Sequence, residues 1–287
     1  MIDLSVIIPS YNTKEILEKC INFLLVVLSQ EKITYEVIVV DNGSQDGSKE
    51  YLKENKNIKL IINNENLGFS KANNQGIKVA TGKNILFLNS DVFIEKINFT
   101  EILNYLEKDN GIGALTIKLQ RPDGSIDPAC HRGFPTVWRS FCYYSKLEKV
   151  FGKIPILNKI FGGYHLTYFD LNTIHEIDSS SGAFYLVKRE VINKVKGFDE
   201  DFFMYGEDID LSFKIKEKDY KIIFYPVYRA LHLKYQSGLN KNNTKTKNKT
   251  NKYFYQAMKI FYKKHYQNKY PSLVNMFIYF FIDSKIK

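Results

Sequence analysis

The chain has 287 residues, 44% of them hydrophobic, and a formal charge of +10. This length suits one large α/β domain with an appendage, or two small domains, with enough apolar residues to fill a sizeable core. Eleven lysines, no arginine and a single acid lie from Asn240 onward, so the excess charge belongs to the tail. The tail contains none of the sequence motifs that read DNA or RNA, so we expect no nucleic-acid partner.

The first half of the chain alternates β-branched apolar runs with amphipathic segments. Strands are predicted at residues 5–9, 35–40, 58–62 and 84–88, and helices at 13–28, 46–55 and 70–80. Strands joined by helices of this length imply right-handed crossovers and a parallel sheet, with a ligand at the carboxyl ends of the strands. This half therefore indicates a nucleotide-binding fold.

The second half is less regular. A helix is predicted at 98–108 and a strand at 112–117, whereas 120–174 has no clean period and is assigned to helices and loops. A strand follows at 179–187, then a helix at 208–217 and a strand at 222–225. The stretch 240–252 contains only Asn, Lys and Thr, which is typical of a solvated loop.

Three acidic motifs stand where a ligand could reach them. Asp41 and the triplet Asn89-Ser90-Asp91 each follow an apolar run, at the carboxyl end of a predicted strand. The phrase Gly206-Glu207-Asp208-Ile209-Asp210 opens a predicted helix. Taken singly, the first motif is also typical of a turn, and acids in a first helical turn also complement the helix dipole. The occurrence of all three motifs in this order is less easily explained by chance than any one of them alone.

Together these motifs resemble the inverting family 2 glycosyltransferases of the GT-A fold, and within them the rhamnosyltransferase-like branch. The resemblance spans residues 3–238. It implies an α/β fold with a mostly parallel central sheet flanked by helices and a C-terminal helical extension. Residues 1–117 would form the nucleotide-sugar-binding half, 118–238 the acceptor-binding catalytic half, and 239–287 a flexible basic loop with an amphipathic helical tail.

The resemblance also implies which residues bind the donor. A tyrosine ring can stack on a pyrimidine, a polar strand end can bond the base or ribose, and small residues let a sugar approach the backbone. A loop at Ser237-Gly238 would close over the donor. The residues assigned to the nucleotide sugar are Pro9, Tyr11, Asn12, Asp41, Asn42, Gly68, Asn73, Asn89, Ser90, Asp91 and Gly182.

The metal motif departs from the usual Asp-x-Asp because its first position is Asn89. The rhamnosyltransferase-like branch often has such a substitution. Asp91 and His232 are the implied ligands of a divalent cation, Mn²⁺ or Mg²⁺, and an imidazole favours Mn²⁺. The alternative for His232 is a packed or capping side chain.

Asp208 is the expected catalytic base, accepting the acceptor hydroxyl's proton as its oxygen attacks the anomeric carbon opposite the leaving group. Glu207 would orient the acceptor or the helix end, and Asp210 would be structural. His131-Arg132-Gly133 would lie near the acceptor entrance or form an ordinary loop.

The best match is L-rhamnose transfer from dTDP-rhamnose to a saccharide or lipid-linked saccharide in cell-surface polysaccharide synthesis. A UDP-hexose or UDP-N-acetylhexosamine donor is the alternative. A nucleotide-sugar-binding protein without turnover is a further one, which the intact Asp91 and Asp208 argue against.

The tail predicts one apolar helical face at Phe254, Ala257, Met258 and Phe261, and a short apolar run at 273–282. Such a basic, aromatic segment either lies on an anionic membrane surface or packs on the catalytic domain. The first apolar run of the chain, at residues 4–9, is too short for a signal-peptide core or a membrane span. We expect a cytoplasmic protein, peripheral on the inner face of the cell membrane in the first case.

Overall fold

The computed structural model describes residues 2–234 and 244–286. Within these ranges the strands form a nine-stranded sheet that is flanked by helices. The predicted loop at Ser237-Gly238 lies outside the described residues.

The elements follow the chain in regular alternation up to Gln120 and less regularly afterwards. The strands are β1 Leu4–Ser10, β2 Tyr35–Asp41, β3 Lys59–Ile62, β4 Asn84–Leu88, β5 Val92–Phe93, β6 Ile112–Gln120, β7 His175–Ile177, β8 Phe184–Lys188 and β9 Lys221–His232. The helices are α1 Lys14–Ser29, α2 Ser48–Glu54, α3 Phe69–Val79, α4 Phe99–Glu107, α5 Val137–Tyr144, α6 Leu147–Phe151, α7 Leu157–Phe161, α8 Arg189–Val195, α9 Glu207–Lys216, α10 Thr244–His265 and α11 Ser272–Ile286.

The strand order is β3-β2-β1-β4-β8-β6-β9-β5, with β7 also paired to β9. Among the described strands β1, β2, β3, β4, β6 and β9 run in one direction, which confirms the mostly parallel sheet. Register places Ser10 beside Asp41, and Asp41 beside Ile62. The polar residues at these carboxyl ends therefore meet at one edge, as the β-branched runs predict.

Strand β8 inserts antiparallel between β4 and β6 and pairs Phe184 with Leu88. The start of β8, preceded by Gly182 and Ala183, thus lies at the carboxyl end of β4. This pairing brings a segment from the second half of the chain to the edge where the first half ends its strands.

Strand β9 is longer than the predicted 222–225 and reaches His232. Its pairing with β6 shifts register between Tyr225 and Arg229, where Pro226 supplies no N–H to the ladder. Pairing then resumes and places His232 opposite Val92 of β5. Because Pro226 interrupts the apolar run, the sequence pattern predicted a strand that ends at Tyr225.

The tail packs through α10 on α9 and on the segment before it. Ala257 and Phe261 of the predicted apolar face are buried in a cluster with Phe202 and Phe213. Helix α10 begins at Thr244, so helix replaces the predicted loop over 244–252. Lysine has a good helix propensity, and a helix anchored by packing at one end extends cheaply toward the other. None of the described helices is both long and apolar enough to cross a membrane.

Candidate active site

The loops after β1 and β2 are joined to each other. The Asn12 N–H donates to Ser44 Oγ at 2.9 Å, and Asn12 Oδ1 accepts the Gln45 N–H at 2.7 Å. Asp41 is fully buried at the end of β2, and its Oδ2 accepts the Ser44 N–H at 3.1 Å. Its Oδ1 has no hydrogen-bond partner among the described residues, so this buried acceptor is unused within the protein. Tyr11 is half-buried beside this pair of loops.

Asn42 organises the next loop. Its Nδ2 donates to Asn66 Oδ1 at 3.0 Å and to the Gly68 carbonyl at 3.2 Å. Its Oδ1 accepts from Asn63 Nδ2 and the Leu67 N–H, both at 3.0 Å. Both N–H groups and both lone pairs of the amide are therefore used within the protein. Asn42 contributes to the predicted nucleotide site by shaping residues 63–68.

Gly68 allows a close approach between this loop and the segment before α9. Its φ is +90°, and a Cβ there would lie 2.6 Å from the Phe203 carbonyl oxygen. That carbonyl accepts the Phe69 N–H at 2.8 Å. The Phe69 ring lies 3.2 Å from where a Cβ of Gly182 would be, so a phenylalanine ring lies against this glycine. Asn73, buried one turn later, donates to the Phe69 carbonyl at 3.0 Å.

The predicted metal ligands lie at the ends of two strands, Asp91 after β4 and His232 at the end of β9. His232 Nε2 lies 3.4 Å from Asp91 Oδ1, and His232 Nδ1 lies 2.9 Å from Asp127 Oδ2. Burial alone would lower the pKa of the His232 imidazole, but its hydrogen bonds to these two carboxylates raise it to about 9. The same contacts and the Lys234 ammonium at 2.7 Å outweigh burial and lower the pKa of Asp127. His232 is thus oriented by Asp127 toward Asp91.

These residues fit a divalent cation in part. In the described ranges Asn89 Oδ1 is a buried oxygen without a hydrogen-bond partner, and Asp91 Oδ1 has the 3.4 Å contact with His232 Nε2. Hard cations take oxygen ligands of this kind. Across residues 2–234 and 244–286, however, no cluster of three or more His, Cys, Asp and Glu side chains is arranged to bind a metal. The protein would supply Asp91, helped by His232, and the substrate's phosphates and water would complete the shell.

Helix α9 presents Asp208 at its first turn. Asp208 Oδ2 accepts from Arg132 Nη2 at 2.9 Å and from the Gly182 N–H at 3.2 Å. Oδ1 accepts the Ile209 N–H at 2.8 Å and keeps its second lone pair for another donor. Arg132 also donates to the Ser180 carbonyl at 3.0 Å, and its side chain is only 12% exposed. The guanidinium therefore fixes the orientation of the Asp208 carboxylate.

The two acids flanking Asp208 differ in their surroundings. Glu207 is buried, its Oε2 has no partner among the described residues, and burial followed by the charge of Asp208 raises the pKa of its carboxyl to about 8. Asp210 Oδ1 lies 2.7 Å from His265 Nε2 of α10. The predicted structural role of Asp210 corresponds to this contact with the tail.

A chain of contacts links the strand ends to α9. Thr13 Oγ1 donates to Ser90 Oγ at 3.3 Å, which connects the β1 loop to the β4 triplet. The Asn89 N–H donates to the Ala183 carbonyl at 3.0 Å. The adjoining Gly182 donates its N–H to Asp208, so contacts connect three of the predicted donor-site residues, Ser90, Asn89 and Gly182, with the predicted base. Pro9, half-buried near the end of β1, lies on the same edge.

Sequence reasoning missed Asp127 and saw only part of the role of Arg132. Asp127 precedes a proline and caps the 3₁₀ turn Pro128–Cys130, and capping is the only signal that its sequence carries. The His131-Arg132-Gly133 motif was expected near the acceptor entrance. Its pairing with Asp208 joins residues 76 positions apart and has no local signal.

Comparison with known proteins is consistent with this geometry. Residues 5–169 match the family Glycosyl transferase family 2, and residues 165–274 match Glycosyl transferase family group 2. The chain is 44% identical over 93 residues to glycosyltransferase AglE of Haloferax volcanii, covering 30% of each chain. It is 27% identical over 213 residues to N-acetylglucosaminyl-diphospho-decaprenol L-rhamnosyltransferase of Mycobacterium tuberculosis, covering 70% of this chain and 67% of that one.

Among solved structures, GalNAc-T7 with UDP, GalNAc and Mn²⁺ superposes with a TM-score of 0.61 at 16% identity. The match covers 88% of this chain and 48% of GalNAc-T7. It confirms the GT-A fold. The similarity thus reaches less than a third of AglE and about half of GalNAc-T7, so what those whole proteins act on does not transfer by similarity alone.

Proposed function

Because the chain belongs to glycosyltransferase family 2, we propose that it transfers a single sugar, with inversion, from a nucleotide diphosphate to a hydroxyl of a saccharide acceptor. The observation that carries the proposal is the contact between Gly182 and Asp208 beside the β4 triplet. It places a carboxylate with a spare lone pair next to the edge where the strands end. A donor bound at the strand ends would thus have its anomeric carbon near a base.

The proposed donor is dTDP-L-rhamnose. The support is the relative whose name is an L-rhamnosyltransferase, together with Asn89 at the first position of the metal motif. The free Asp41 Oδ1 is suited to an N–H or O–H of the base or ribose, and the half-buried Tyr11 ring is suited to stacking on a pyrimidine. The alternative donor is a UDP-hexose or UDP-N-acetylhexosamine. Its support is that the structural relative GalNAc-T7 was solved with UDP and GalNAc.

In the proposed reaction Asp208 Oδ1 takes the acceptor's hydroxyl proton. The acceptor oxygen forms the new bond to the anomeric carbon as the bond from that carbon to the phosphate oxygen breaks, and the diphosphate leaves with the electron pair. Arg132 and the Gly182 N–H keep the carboxylate in place during attack. Glu207 would support the first turn of α9 and orient the acceptor.

Asp91 and His232 would hold the divalent cation, with Asn89 Oδ1 near it. Bound there, Mn²⁺ or Mg²⁺ would neutralise charge that develops on the leaving diphosphate. Asp127 bonds the other nitrogen of His232 and leaves Nε2 directed at Asp91. This arrangement supports an imidazole ligand over the alternative of a merely packed histidine.

We further infer that the acceptor saccharide is carried on a lipid and that the enzyme works peripherally on the cytoplasmic side of the cell membrane. The support is the diphospho-decaprenol acceptor in the name of the L-rhamnosyltransferase relative. The product would enter a cell-surface polysaccharide or glycolipid.

The test is thermal stabilisation by a panel of donors, dTDP-L-rhamnose, UDP-glucose, UDP-N-acetylglucosamine and GDP-mannose, each with and without Mn²⁺. We expect the largest shift with dTDP-L-rhamnose and Mn²⁺. The Asp91→Asn variant should lose the Mn²⁺-dependent part of that shift. A shift with a UDP-sugar alone would select the alternative donor, and no shift with any member of the panel would refute the proposed function.

A further inference from the structure

An exposed apolar face is made of residues that take no part in the site described above. It is formed by the short helices α5 to α7 and by α11. Ile156 is 77% and Phe280 75% exposed. Single exposed apolar residues are common on protein surfaces, whereas a group of them marks an interaction surface. Representative members of this face are Trp138, Phe141, Val150, Ile156, Phe277 and Phe280.

The two parts of the face are continuous. The Tyr144 ring at the end of α5 packs 5.5 Å from the Phe281 ring of α11, centroid to centroid. Its hydroxyl lies 3.2 Å from Met258 Sδ of α10. Trp138 packs on Phe161 at 5.9 Å, which ties α5 to α7. Helix α10 thus buries Ala257 and Phe261 inside the protein, and α11 buries Ile282. The side of α11 that carries Phe277 and Phe280 stays exposed, as do the apolar residues of α5 to α7 named above.

The charge on the α5–α7 part of this face has one sign. Four exposed lysines lie in residues 146–159: Lys146, Lys149, Lys153 and Lys159. The one acid in this range, Glu148, is buried and bonded to the His165 backbone N–H at 2.8 Å. Apolar and aromatic tips bordered by exposed lysines, with no exposed acid between them, suit an anionic lipid surface.

We propose that this face docks the protein on the surface of an anionic bilayer. A second copy of the chain is the poorer occupant, because a twofold contact would bring the same lysines toward each other. The segment that leads into α5 carries Arg132 of the site: Gly133, next to it, donates its N–H to the Tyr164 carbonyl at 2.8 Å, and Arg139 of α5 pairs with Asp178. If the proposed function is right, a lipid-linked acceptor would reach Asp208 from this side.

The docking can be tested without turnover, by flotation of the full chain with phosphatidylcholine vesicles that contain or lack 30% phosphatidylglycerol. Each lysine near an anionic surface contributes about five-fold to partitioning. The triple variant Lys149→Gln, Lys153→Gln, Lys159→Gln should therefore bind about a hundred-fold more weakly. The double variant Phe277→Ser, Phe280→Ser should lose about ten-fold or more.

The matched control removes three exposed lysines from α2, the turn after it and α3, Lys53→Gln, Lys56→Gln and Lys78→Gln, and should bind as the parent does. Binding to neutral and anionic vesicles alike, no binding at all, or an equal loss in the control would overturn the proposal. So would a stable dimer in light scattering that the phenylalanine variant disperses. Donor-induced thermal shifts on the same variants report on the proposed function separately.

Discussion

Replacing Glu207 by Gln should make the protein more stable at neutral and alkaline pH. Burial and the neighbouring Asp208 raise the pKa of Glu207 to about 8 in the folded chain, from 4.5. The stabilising effect of the protonated carboxyl is complete below about pH 4.5 and is lost as pH rises through 8. Because the carboxyl ionises above pH 4.5 in the unfolded chain but stays protonated in the folded one, the free energy of unfolding falls by about 1.4 kcal/mol per pH unit, on the order of 3 kcal/mol by pH 7. A neutral amide of the same shape does not ionise.

The assay is urea unfolding of the parent and the Glu207→Gln variant at several values between pH 5 and pH 8.5. The parent's free energy of unfolding should fall relative to the variant's across this range, and the two should converge near pH 5. Glu54→Gln, an exposed carboxyl on α2, should behave as the parent does. Asp208→Asn removes the negative charge that helps to raise the pKa of Glu207. In that variant the pH range over which stability is lost should therefore be narrower. Parallel curves for parent and Glu207→Gln would refute the argument.

Three further predictions address the site. Asp208→Asn should lower the transfer rate by about 10²–10⁴-fold while leaving nucleotide affinity, measured by calorimetry, within a few-fold; an unimpaired rate would remove Asp208 as the base. Asp127→Asn should raise the Mn²⁺ concentration for half-maximal activity by about 10–100-fold, because it orients His232; an unchanged titration would deny that role. Gly68→Ala should lower the melting temperature and destabilise by more than about 1 kcal/mol, since φ is +90° and the Phe203 carbonyl is 2.6 Å from the new Cβ; wild-type melting would show that the loop can move.

The parallel half of the sheet could be predicted because its signals are local. Val37 to Val40 and Val6 to Ile8 are continuous β-branched runs, and each is followed by a polar residue at the strand end. The carboxyl-end rule then places Asp41 and Asp91 at one edge without any knowledge of side-chain contacts. This part of the site follows from strand order alone.

The rest of the site depends on packing across long separations. Strand β8 enters the sheet antiparallel, which no alternation of strand and helix predicts, and this pairing brings Gly182 to Asp208. Arg132 comes from a segment without periodicity and reaches Asp208 where Arg132 and Ser179 form an isolated antiparallel bridge. Composition alone predicted a loop where α10 begins, because the contacts that anchor this helix lie farther along it, where Ala257 and Phe261 pack on Phe202 and Phe213.

The distribution of unpaired buried atoms connects fold and function. Folded proteins bond nearly all their buried polar atoms, because an unpaired one costs about 1–3 kcal/mol. Asp41 Oδ1, Asn89 Oδ1 and Glu207 Oε2 are among the buried atoms without a hydrogen-bond partner in the described residues, and these three lie along the strand-end edge and the first turn of α9. The Asn42 amide nearby is by contrast fully bonded. In the proposed function a nucleotide sugar and its cation would supply partners to the strand-end atoms, and the Glu207→Gln experiment measures the separate cost of ionising a carboxyl buried in the first turn of α9.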